Sequence, residues 1–337
     1  MNIKALAKEL GLSTSTVSRA LNGYQDVNEA TRKRVEEGAK ALGYRANAGA
    51  RRLVCGSTEA VGIVYSAAVE NLGNPQFLDM AGGLSERLHA EHFDLMLAVA
   101  SDEQDLDIYD RLFRGGRVDA VVVPNTRVAD ARVNFLLERA YPFLAYGRTG
   151  DCSGYSWFDF DNEAGSQLAV RHLVALGHKQ IAYVHSPLEL NFALQRHCGF
   201  LAGLQEAGLA FDPAWLVGPA VDRRSGREAV QALMALSNSP TAIVVDNNLG
   251  GIGVMRGLMD LGLVLGRDVS VVVHGVIPAD SLLAGLEPTM VTQPTAHRTG
   301  ETMAEMVLQV LREPQHGPFQ LLRQPELVLG QTTGKRV

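Results

Sequence analysis

The chain has 337 residues, too many for one ordinary domain, and its 46% hydrophobic and 20% charged residues are the composition of a folded globular protein. A formal net charge of −6 would argue against a nucleic-acid partner if that charge were evenly spread. It is uneven: residues 1–58 hold ten Lys or Arg against five Asp or Glu, whereas the rest of the chain holds 21 against 32, so a small basic head is joined to a large acidic body.

Cysteine usage and hydropathy limit the class of protein further. Cys55, Cys152 and Cys198 are far apart and lack paired spacing, so neither a disulfide framework nor a zinc site is indicated, and we expect no metal or cofactor. The first residues contain no uncharged apolar run typical of a signal peptide, and no stretch of about 18 apolar residues could cross a bilayer. We therefore expect a cytoplasmic protein without a membrane partner.

Three short helices are predicted in the first 45 residues. The first ends at Gly11, since glycine tolerates the positive φ of a helix C-terminus. Ser13 can cap the second helix, which Asn22 and Gly23 close. The third runs from about Asn28 and is terminated by Gly43. Two helices joined by a tight turn in a basic head indicate a helix-turn-helix.

In such a unit the second helix enters the DNA major groove. Its outward face carries Thr14, Ser15, Ser18 and Arg19, and a bidentate contact from Arg19 to guanine would contribute about 1–3 kcal/mol of discrimination. Short hydroxyls suit phosphate or base contacts. The alternative interpretation is a solvated helical hairpin with a polar outer face.

From residue 60 onward, short apolar runs alternate with amphipathic helices, which predicts parallel sheets covered by helices on both faces. We expect strands in the segments AVGIV, DLMLAV, DAVVV, PFLAY, QIAYV, AWLV, TAIVV and VSVVV. Eight strands exceed one comfortable sheet, so we predict an α/β body of two similar subdomains that divide near Asp161. Ligands of such sheets bind at the carboxyl ends of the strands.

The head resembles the N-terminus of the LacI family of bacterial transcription regulators, through IKALAKELGLSTSTVSRALNG and VNEATRKRVEEGAKALGYRANAGARRL. Later segments follow in the order of that family: DNEAGSQLAVRHLVALGHKQIAYV, RHCGFLAGL, DVSVVV and PELVLGQTTG. The resemblance implies a helix-turn-helix domain (1–45), a hinge (46–59) and an effector-binding and dimerisation domain (60–337). The last has a periplasmic-binding-protein-like fold, with an N-subdomain of about 60–160 and 292–320 and a C-subdomain of about 161–291 and 321–337.

The resemblance also implies the DNA contacts. In the family, a hinge helix pairs with its dimer mate and inserts a leucine into the minor groove, where it kinks the operator. By motif match that leucine is Leu53, with Asn47 and Ala50 on the same side; Ala46 replaces the usual proline. The alternative for Leu53 is an ordinary linker residue. The complete predicted DNA-binding set is Ser13, Thr14, Ser15, Thr16, Ser18, Arg19, Asn22, Asn47, Ala50 and Leu53.

For the effector, Arg196 matches the family arginine that grips hydroxyls or carboxylates, and Asn247 matches a polar pocket residue. By position, the resemblance also implies that the cleft is lined by Gln76, Phe77, Tyr146, Phe192 and Gln293. Arg196 could instead be a structural ion-pair partner, and the aromatic residues could be plain core packing.

Two departures from the family leave the sugar pocket incomplete. Gly275 and Val276 stand where the family commonly has adjacent aspartates, and Val221 replaces an aromatic residue. His274 or Asn248 could compensate, or the effector could be larger, phosphorylated or not a sugar.

The resemblance implies a dimeric repressor that binds a pseudo-palindromic double-stranded operator and is released by a small molecule of carbohydrate type. A regulator that needs its ligand as co-repressor is the alternative. A third hypothesis, from another class, is a sugar- or nucleoside-acting α/β enzyme with a DNA-binding head. Against it, Gly251, Gly253 and Gly257 miss the dinucleotide-binding spacing by one position, so we predict no catalytic residues.

Overall fold

The structure, a computed structural model, describes residues 3–21, 24, 26–44, 57–66, 74–100, 105–277, 281 and 285–336. The chain divides into two compact units, Met1–Glu59 and Ala60–Val337. Residues 45–56 lie outside the described residues, and they include most of the predicted hinge (46–59). None of the helices described has the length and hydrophobicity needed to cross a bilayer.

The first unit contains the three predicted helices, α1 (Ile3–Leu10), α2 (Thr14–Leu21) and α3 (Glu29–Ala41). Their facing sides form a small apolar core of Leu6, Ala7, Val17, Ala20, Val27, Val35 and Ala39. The predicted helix-turn-helix is confirmed.

The ends of these helices follow their sequence signals. Gly11 has φ +63° and Gly43 has φ +61°, so both hold the left-handed backbone expected after a helix. The Ser13 hydroxyl accepts from the backbone N–H of Thr16 at 3.0 Å, which caps α2. The side chain of Asn28 caps α3 in the same way.

The second unit contains two six-stranded sheets. The first has the spatial order β11-β5-β4-β3-β1-β2, and all its strand pairs are parallel. Its strands are β1 (Ala60–Ser66), β2 (Asp94–Ala100), β3 (Ala120–Val123), β4 (Phe143–Tyr146), β5 (Trp157–Phe160) and β11 (Gln320–Arg323). One face packs on α4 (Pro75–His89) and α11 (Ala296–Arg312), and the other on α5 (Leu106–Arg114) and α6 (Ala131–Glu138).

The second sheet has the order β12-β10-β9-β8-β6-β7, in which only β10 and β12 pair antiparallel. Its strands are β6 (Ile181–Val184), β7 (Leu216–Val217), β8 (Ala242–Val245), β9 (Ser270–His274), β10 (Thr289–Thr292) and β12 (Glu326–Val328). Helices again cover both faces: α7 (Asn162–Ala175) and α8 (Asn191–Glu206) one, α9 (Arg223–Met234) and α10 (Asn248–Asp260) the other. The predicted α/β class is confirmed.

The eight predicted strands are present, and the described part of the chain adds β5, β10, β11 and β12. All four additional strands are short. β11 and β12 are also half-exposed edge strands with few apolar residues, so these two lack the apolar pattern by which a strand is recognised. β11 belongs to the first sheet, so the chain returns to the second sheet after Arg323.

Candidate DNA-binding surface and ligand cleft

The start of α2 presents a cluster of hydroxyl groups. Ser13, Thr14 and Ser15 are exposed, whereas Thr16 and Ser18 are half-buried. The Ser13 hydroxyl lies 2.8 Å from those of both Ser15 and Thr16, so the cap of α2 also orders its polar surface. Free backbone N–H groups and hydroxyls at a helix N-terminus suit a phosphate oxygen.

Arg19 lies on the same helix and is ion-paired with Asp26, and its guanidinium carbon lies 5.1 Å from the centre of the Tyr24 ring. Both charged side chains are about half exposed, at 50% and 53%. Such a surface pair contributes only about 0–1 kcal/mol, so a guanine or phosphate can replace Asp26 as partner at small cost. Asn22, the next predicted contact, lies outside the described residues.

Two other arginines of the head have structural partners. Arg34 donates to the backbone carbonyl of Leu10 at the end of α1, and Arg32 donates to that of Tyr24 at 2.9 Å. A cation at a helix C-terminus is favourable because that end of the helix carries partial negative charge. Part of the positive charge counted in the sequence therefore stabilises the head itself. The predicted hinge contacts, Asn47, Ala50 and Leu53, also lie outside the described residues.

A chamber of about 450 Å³ in the body lies at the carboxyl ends of strands from both sheets and is the larger of two that adjoin there. Its aromatic lining comprises Tyr65, Phe77 and Tyr146, and its polar lining includes Asn74, Gln76, Asn125, Gln293, Thr295 and Thr299. Burial raises the pKa of the Tyr146 hydroxyl to about 12 and that of the Tyr65 hydroxyl further still. Both phenols are therefore neutral at physiological pH.

The smaller chamber, of about 200 Å³, shares Asn74 and Asn125 with the larger one, so the two adjoin. Its lining includes Ser186, Phe192, Val221, Asn247 and Asn248. Together the chambers form one cleft between the sheets. Six of the eight predicted effector residues line it, four in the larger chamber (Gln76, Phe77, Tyr146 and Gln293) and two in the smaller (Phe192 and Asn247).

Hydrogen bonds join the two subdomains on either side of the cleft. At one side Gln76 Nε2, on α4, donates to the carbonyl of Val276 after β9, at 2.6 Å. At the other, the backbone N–H of Asn191 donates to the carbonyl of Thr126 at 2.9 Å. A change in the relative orientation of the sheets would have to break or remake these contacts.

Arg196 lines neither chamber but stands behind one wall. Its guanidinium stacks over the Phe192 ring, with the central carbon 4.9 Å from the ring centre. Nε donates to Asn162 Oδ1 at 2.9 Å, and Nη1 donates to the backbone carbonyl of Asp246. In this conformation Arg196 positions Phe192 and the loop after β8; direct contact with an effector stays a prediction.

Asp246 anchors the loop that carries Asn247. Its carboxylate is fully buried and accepts from the backbone N–H of Ser186 at 2.7 Å and from the Ser186 hydroxyl at 2.8 Å. Burial nevertheless raises the pKa of Asp246 above its ordinary value. Asn247 caps α10 and donates to the carbonyl of Ala220 at 2.7 Å, so its side chain reaches the smaller chamber in a fixed orientation.

His274, another predicted effector residue, is buried at the end of β9. Its side chain is 2% exposed, lines neither chamber, and has Nε2 3.0 Å from the Ser166 hydroxyl on α7. Burial lowers the pKa of His274 well below its ordinary value, so the ring is neutral. In this conformation His274 supports the end of β9 from within the core; contact with an effector stays a prediction.

Two family models match this chain. One described as bacterial regulatory proteins of the lacI family matches residues 2–47, and one described as periplasmic binding proteins and sugar binding domain of the LacI family matches residues 58–325. The second covers most of the chain. The chain belongs to the LacI family.

Its relatives within the family include the HTH-type transcriptional regulator RafR of Escherichia coli, 38% identical over 98% of both chains. The HTH-type transcriptional regulator AglR of Rhizobium meliloti is 32% identical over 99% of this chain and 94% of its own. The family resemblance seen in the sequence is thus confirmed along nearly the whole chain.

Solved structures of similar proteins agree with this family assignment. A transcriptional regulator from Yersinia pestis has a TM-score of 0.76 and 34% identity over 83% of this chain and 99% of its own. The regulator CelR in complex with cellobiose has a TM-score of 0.73 and 25% identity over 98% and 99% of the two chains. The lac repressor dimer bound to operator and an anti-inducer, at 24% identity and a TM-score of 0.85 over 99% of both chains, shares the fold.

Sequence reasoning missed several cleft residues of this LacI-family chain, among them Asn74, Asn125, Tyr65 and Thr299. Asn74 caps α4 directly before Pro75, a helix-start signal that was available in the sequence. Asn125 follows β3 and has φ +50°, a conformation uncommon for residues other than glycine. Thr299 had no signal, because it is a buried helix residue that reaches the chamber only through the packing of α11.

Proposed function

We propose that this LacI-family chain is a cytoplasmic repressor, not an enzyme, that binds a pseudo-palindromic operator as a dimer and is released by a carbohydrate effector. The observation that carries the proposal is a cleft lined by both sheets and crossed by the hydrogen bond from Gln76 to Val276. A ligand that contacts both walls favours one relative orientation of the subdomains. Cleft occupancy is thereby coupled to the shape of the body.

The proposed DNA contacts begin with α2. Its exposed Ser13, Thr14, Ser15 and Arg19 form a polar surface in a head of net positive charge. This arrangement supports phosphate contacts by the hydroxyls and base readout by Arg19. Leu53 is proposed as the minor-groove wedge on the strength of the family resemblance.

The proposed dimer face includes β2, the edge strand of the first sheet. Leu97 and Val99 of this strand are 47% and 49% exposed, and Leu78 on the neighbouring α4 is 66% exposed. An exposed apolar edge strand invites pairing or aggregation unless another surface covers it. A second copy of the chain fits this role, since a palindromic operator presents two equivalent half-sites to a two-fold dimer.

The proposed effector class is supported by the matched sugar-binding family model and by the cleft lining. Phe77, Tyr146 and Phe192 offer flat apolar surfaces, while Gln293 and the amide oxygen of Gln76 offer hydrogen-bonding groups. Sugars carry both apolar C–H faces and hydroxyl groups, so a mixed lining of this kind suits them.

The test is selection of binding sites from a pool of random duplex DNA with the purified full-length chain. The expected result is enrichment of an inverted repeat whose half-sites lie about one helical turn, or a multiple of it, apart. Enrichment of a single unrepeated site would contradict dimeric operator binding. The absence of enrichment over bulk duplex would contradict the proposed function itself.

A further inference from the structure

We propose that the effector is an uncharged glycan of at least two sugar rings that spans both chambers, and that the hydroxyls of Tyr65 and Thr299 bind it. This inference rests on the proposed carbohydrate-responsive function and narrows it. The observations that carry it are two adjoining chambers, their charge, and two hydroxyls of the larger chamber that make no hydrogen bond to the described residues.

The first observation is the unmet hydrogen-bonding capacity of the larger chamber. Tyr65 and Thr299 line this chamber and are only 7% and 3% exposed. Within the described part of the chain, neither hydroxyl makes a hydrogen bond. A ligand that fills the chamber must give these hydroxyls hydrogen bonds of its own, because a polar group left unpaired on burial is costly. A ligand hydroxyl in the chamber would supply such a bond to each side chain.

Tyr65 is held in place for this role. Its ring packs against that of Phe77 edge to face, with centres 4.4 Å apart, at the end of β1. Because burial raises its pKa, the phenol keeps its proton and can donate as well as accept. Thr299 stands on α11, so the two hydroxyls approach the chamber from different elements of the first subdomain.

The second observation is the charge of the larger chamber. Among the residues described, no Lys, Arg or His lines it, and Asp79 is the one carboxylate that does, at an exposed position. The undescribed segments 67–73, 278–280 and 282–284 contain no basic residue in the sequence either. A phosphate group requires basic or charge-assisted donors, so this chamber favours a neutral ligand.

The smaller chamber is also neutral overall. Arg127 and Glu189 both line it, so one basic and one acidic side chain balance in its formal charge. Its remaining lining is apolar or uncharged, with Phe192, Val221 and Asn247 on the side of the second sheet.

The third observation is size. The two chambers have volumes of about 450 and 200 Å³ and adjoin each other. A single ring placed in the larger chamber leaves the smaller one, which Val221 lines, unoccupied. A second ring fills the space past Asn74 and Asn125, which border both chambers.

The experiment is isothermal titration of the full-length chain with a panel of neutral disaccharides and trisaccharides: sucrose, maltose, lactose, cellobiose, melibiose, trehalose, maltotriose and raffinose. The constituent monosaccharides and glucose 6-phosphate are titrated alongside. We expect at least one multi-ring glycan to bind at least about tenfold more tightly than each of its component monosaccharides, and glucose 6-phosphate not to bind. A monosaccharide or the phosphate as the tightest ligand would overturn the proposal, and so would no binding by any panel member.

Variants test the named residues. Tyr65→Phe and Thr299→Val each remove one hydroxyl while keeping the shape, and each should weaken the best glycan about three- to tenfold. Tyr109→Phe is the matched control, since Tyr109 is 1% exposed in the same subdomain but lines neither chamber, and it should bind as the wild type does. Unchanged affinity in both cleft variants would contradict the assignment of these hydroxyls.

The second ring is tested at Val221. Val221→Trp fills the smaller chamber and should abolish the preference for the multi-ring glycan, whereas Val221→Thr, of similar size, should retain it. Persistence of that preference in Val221→Trp would overturn the spanning model. Failure of the proposed function would give a different result: the glycan would bind as expected, but the affinity of the chain for its operator would not change.

Discussion

At the scale of single residues, the loop that carries Asn125 depends on a buried ion pair. Arg132 and Asp130 are 5% and 2% exposed, with Nη2 2.7 Å from Oδ2 and Nε 3.0 Å from Oδ1. Arg132 also donates to the carbonyl of Asn125 at 2.9 Å. Burial opposes ionisation of Asp130, but the hydrogen bonds and charge of Arg132, together with the backbone N–H of Arg127, lower the pKa of this carboxyl overall.

Arg132→Met should therefore lower the free energy of unfolding by about 3–5 kcal/mol, because it leaves a buried carboxylate without its partner. Arg171→Met is the control, since Arg171 and Glu206 form an exposed pair worth about 0–1 kcal/mol. Urea denaturation of both variants measures the difference. Equal losses would contradict a special role for the buried pair.

The same pair gives a pH dependence. Because the pKa of Asp130 is lower in the folded chain than its ordinary 3.8, its contribution to stability is present above that value. It is lost as the pH falls through the folded pKa. Below that range the difference in stability between wild type and Arg132→Met should shrink, and a difference that grows on acidification would contradict the assignment.

Arg196 is the second residue whose role is testable. Since it supports Phe192 and the loop after β8, Arg196→Ala should leave operator binding intact and remove the response to effector. Arg224→Ala, at an exposed surface pair on α9, should change neither property. Anisotropy titration of labelled operator with and without effector measures both. A normal response in Arg196→Ala would take this residue out of the ligand-sensing region.

At the scale of elements, α4 and α11 cross so closely that two glycines are required. A methyl group at Gly300 would collide with the backbone of Met80 and Leu84, and one at Gly83 with the carbonyl of His297. These helices also carry Gln76 and Thr299, so their crossing sets the width of the larger chamber.

Gly300→Ala should destabilise the chain by at least about 1–3 kcal/mol, because the helices must separate. Gly82→Ala is the matched control: the nearest atom to an added methyl there is His297 Nδ1 at 3.8 Å, and alanine favours a helix over glycine by about 0.5–1 kcal/mol. Thermal unfolding should shift in opposite directions for the two variants. A stable Gly300→Ala chain would show that the crossing tolerates separation.

Some helices and strands could be predicted from the sequence and others could not. The helices of the head and the central strands β1, β3, β6, β8 and β9 follow from periodicity and capping signals, because their apolar patterns are long or fully buried. Edge strands β11 and β12 do not, since water covers much of them and their composition is mixed. The same limit applies to the cleft: Tyr146 at the end of β4 and Asn247 after β8 line it as expected from their positions, whereas the burial of His274 at the end of β9 depends on how α7 packs on the sheet.

At the scale of the whole molecule, repression requires two heads on one operator. If the exposed β2 edge forms the dimer face, Leu97→Lys should produce monomers in sedimentation velocity and lose specific operator binding. Leu261→Lys, at a site 53% exposed in the second subdomain, should remain dimeric. Dimers of Leu97→Lys with normal operator affinity would place the interface elsewhere.

The most direct measurement of the central claim is fluorescence anisotropy of the selected inverted-repeat duplex with the full-length chain, titrated with and without the best-binding glycan. The account predicts that saturating glycan lowers operator affinity by about 5- to 150-fold, the range of a coupling of 1–3 kcal/mol, and that operator weakens glycan binding by the same factor. A gain in operator affinity would identify the glycan as a co-repressor. Identical operator curves with and without a glycan that demonstrably occupies the cleft would contradict the account.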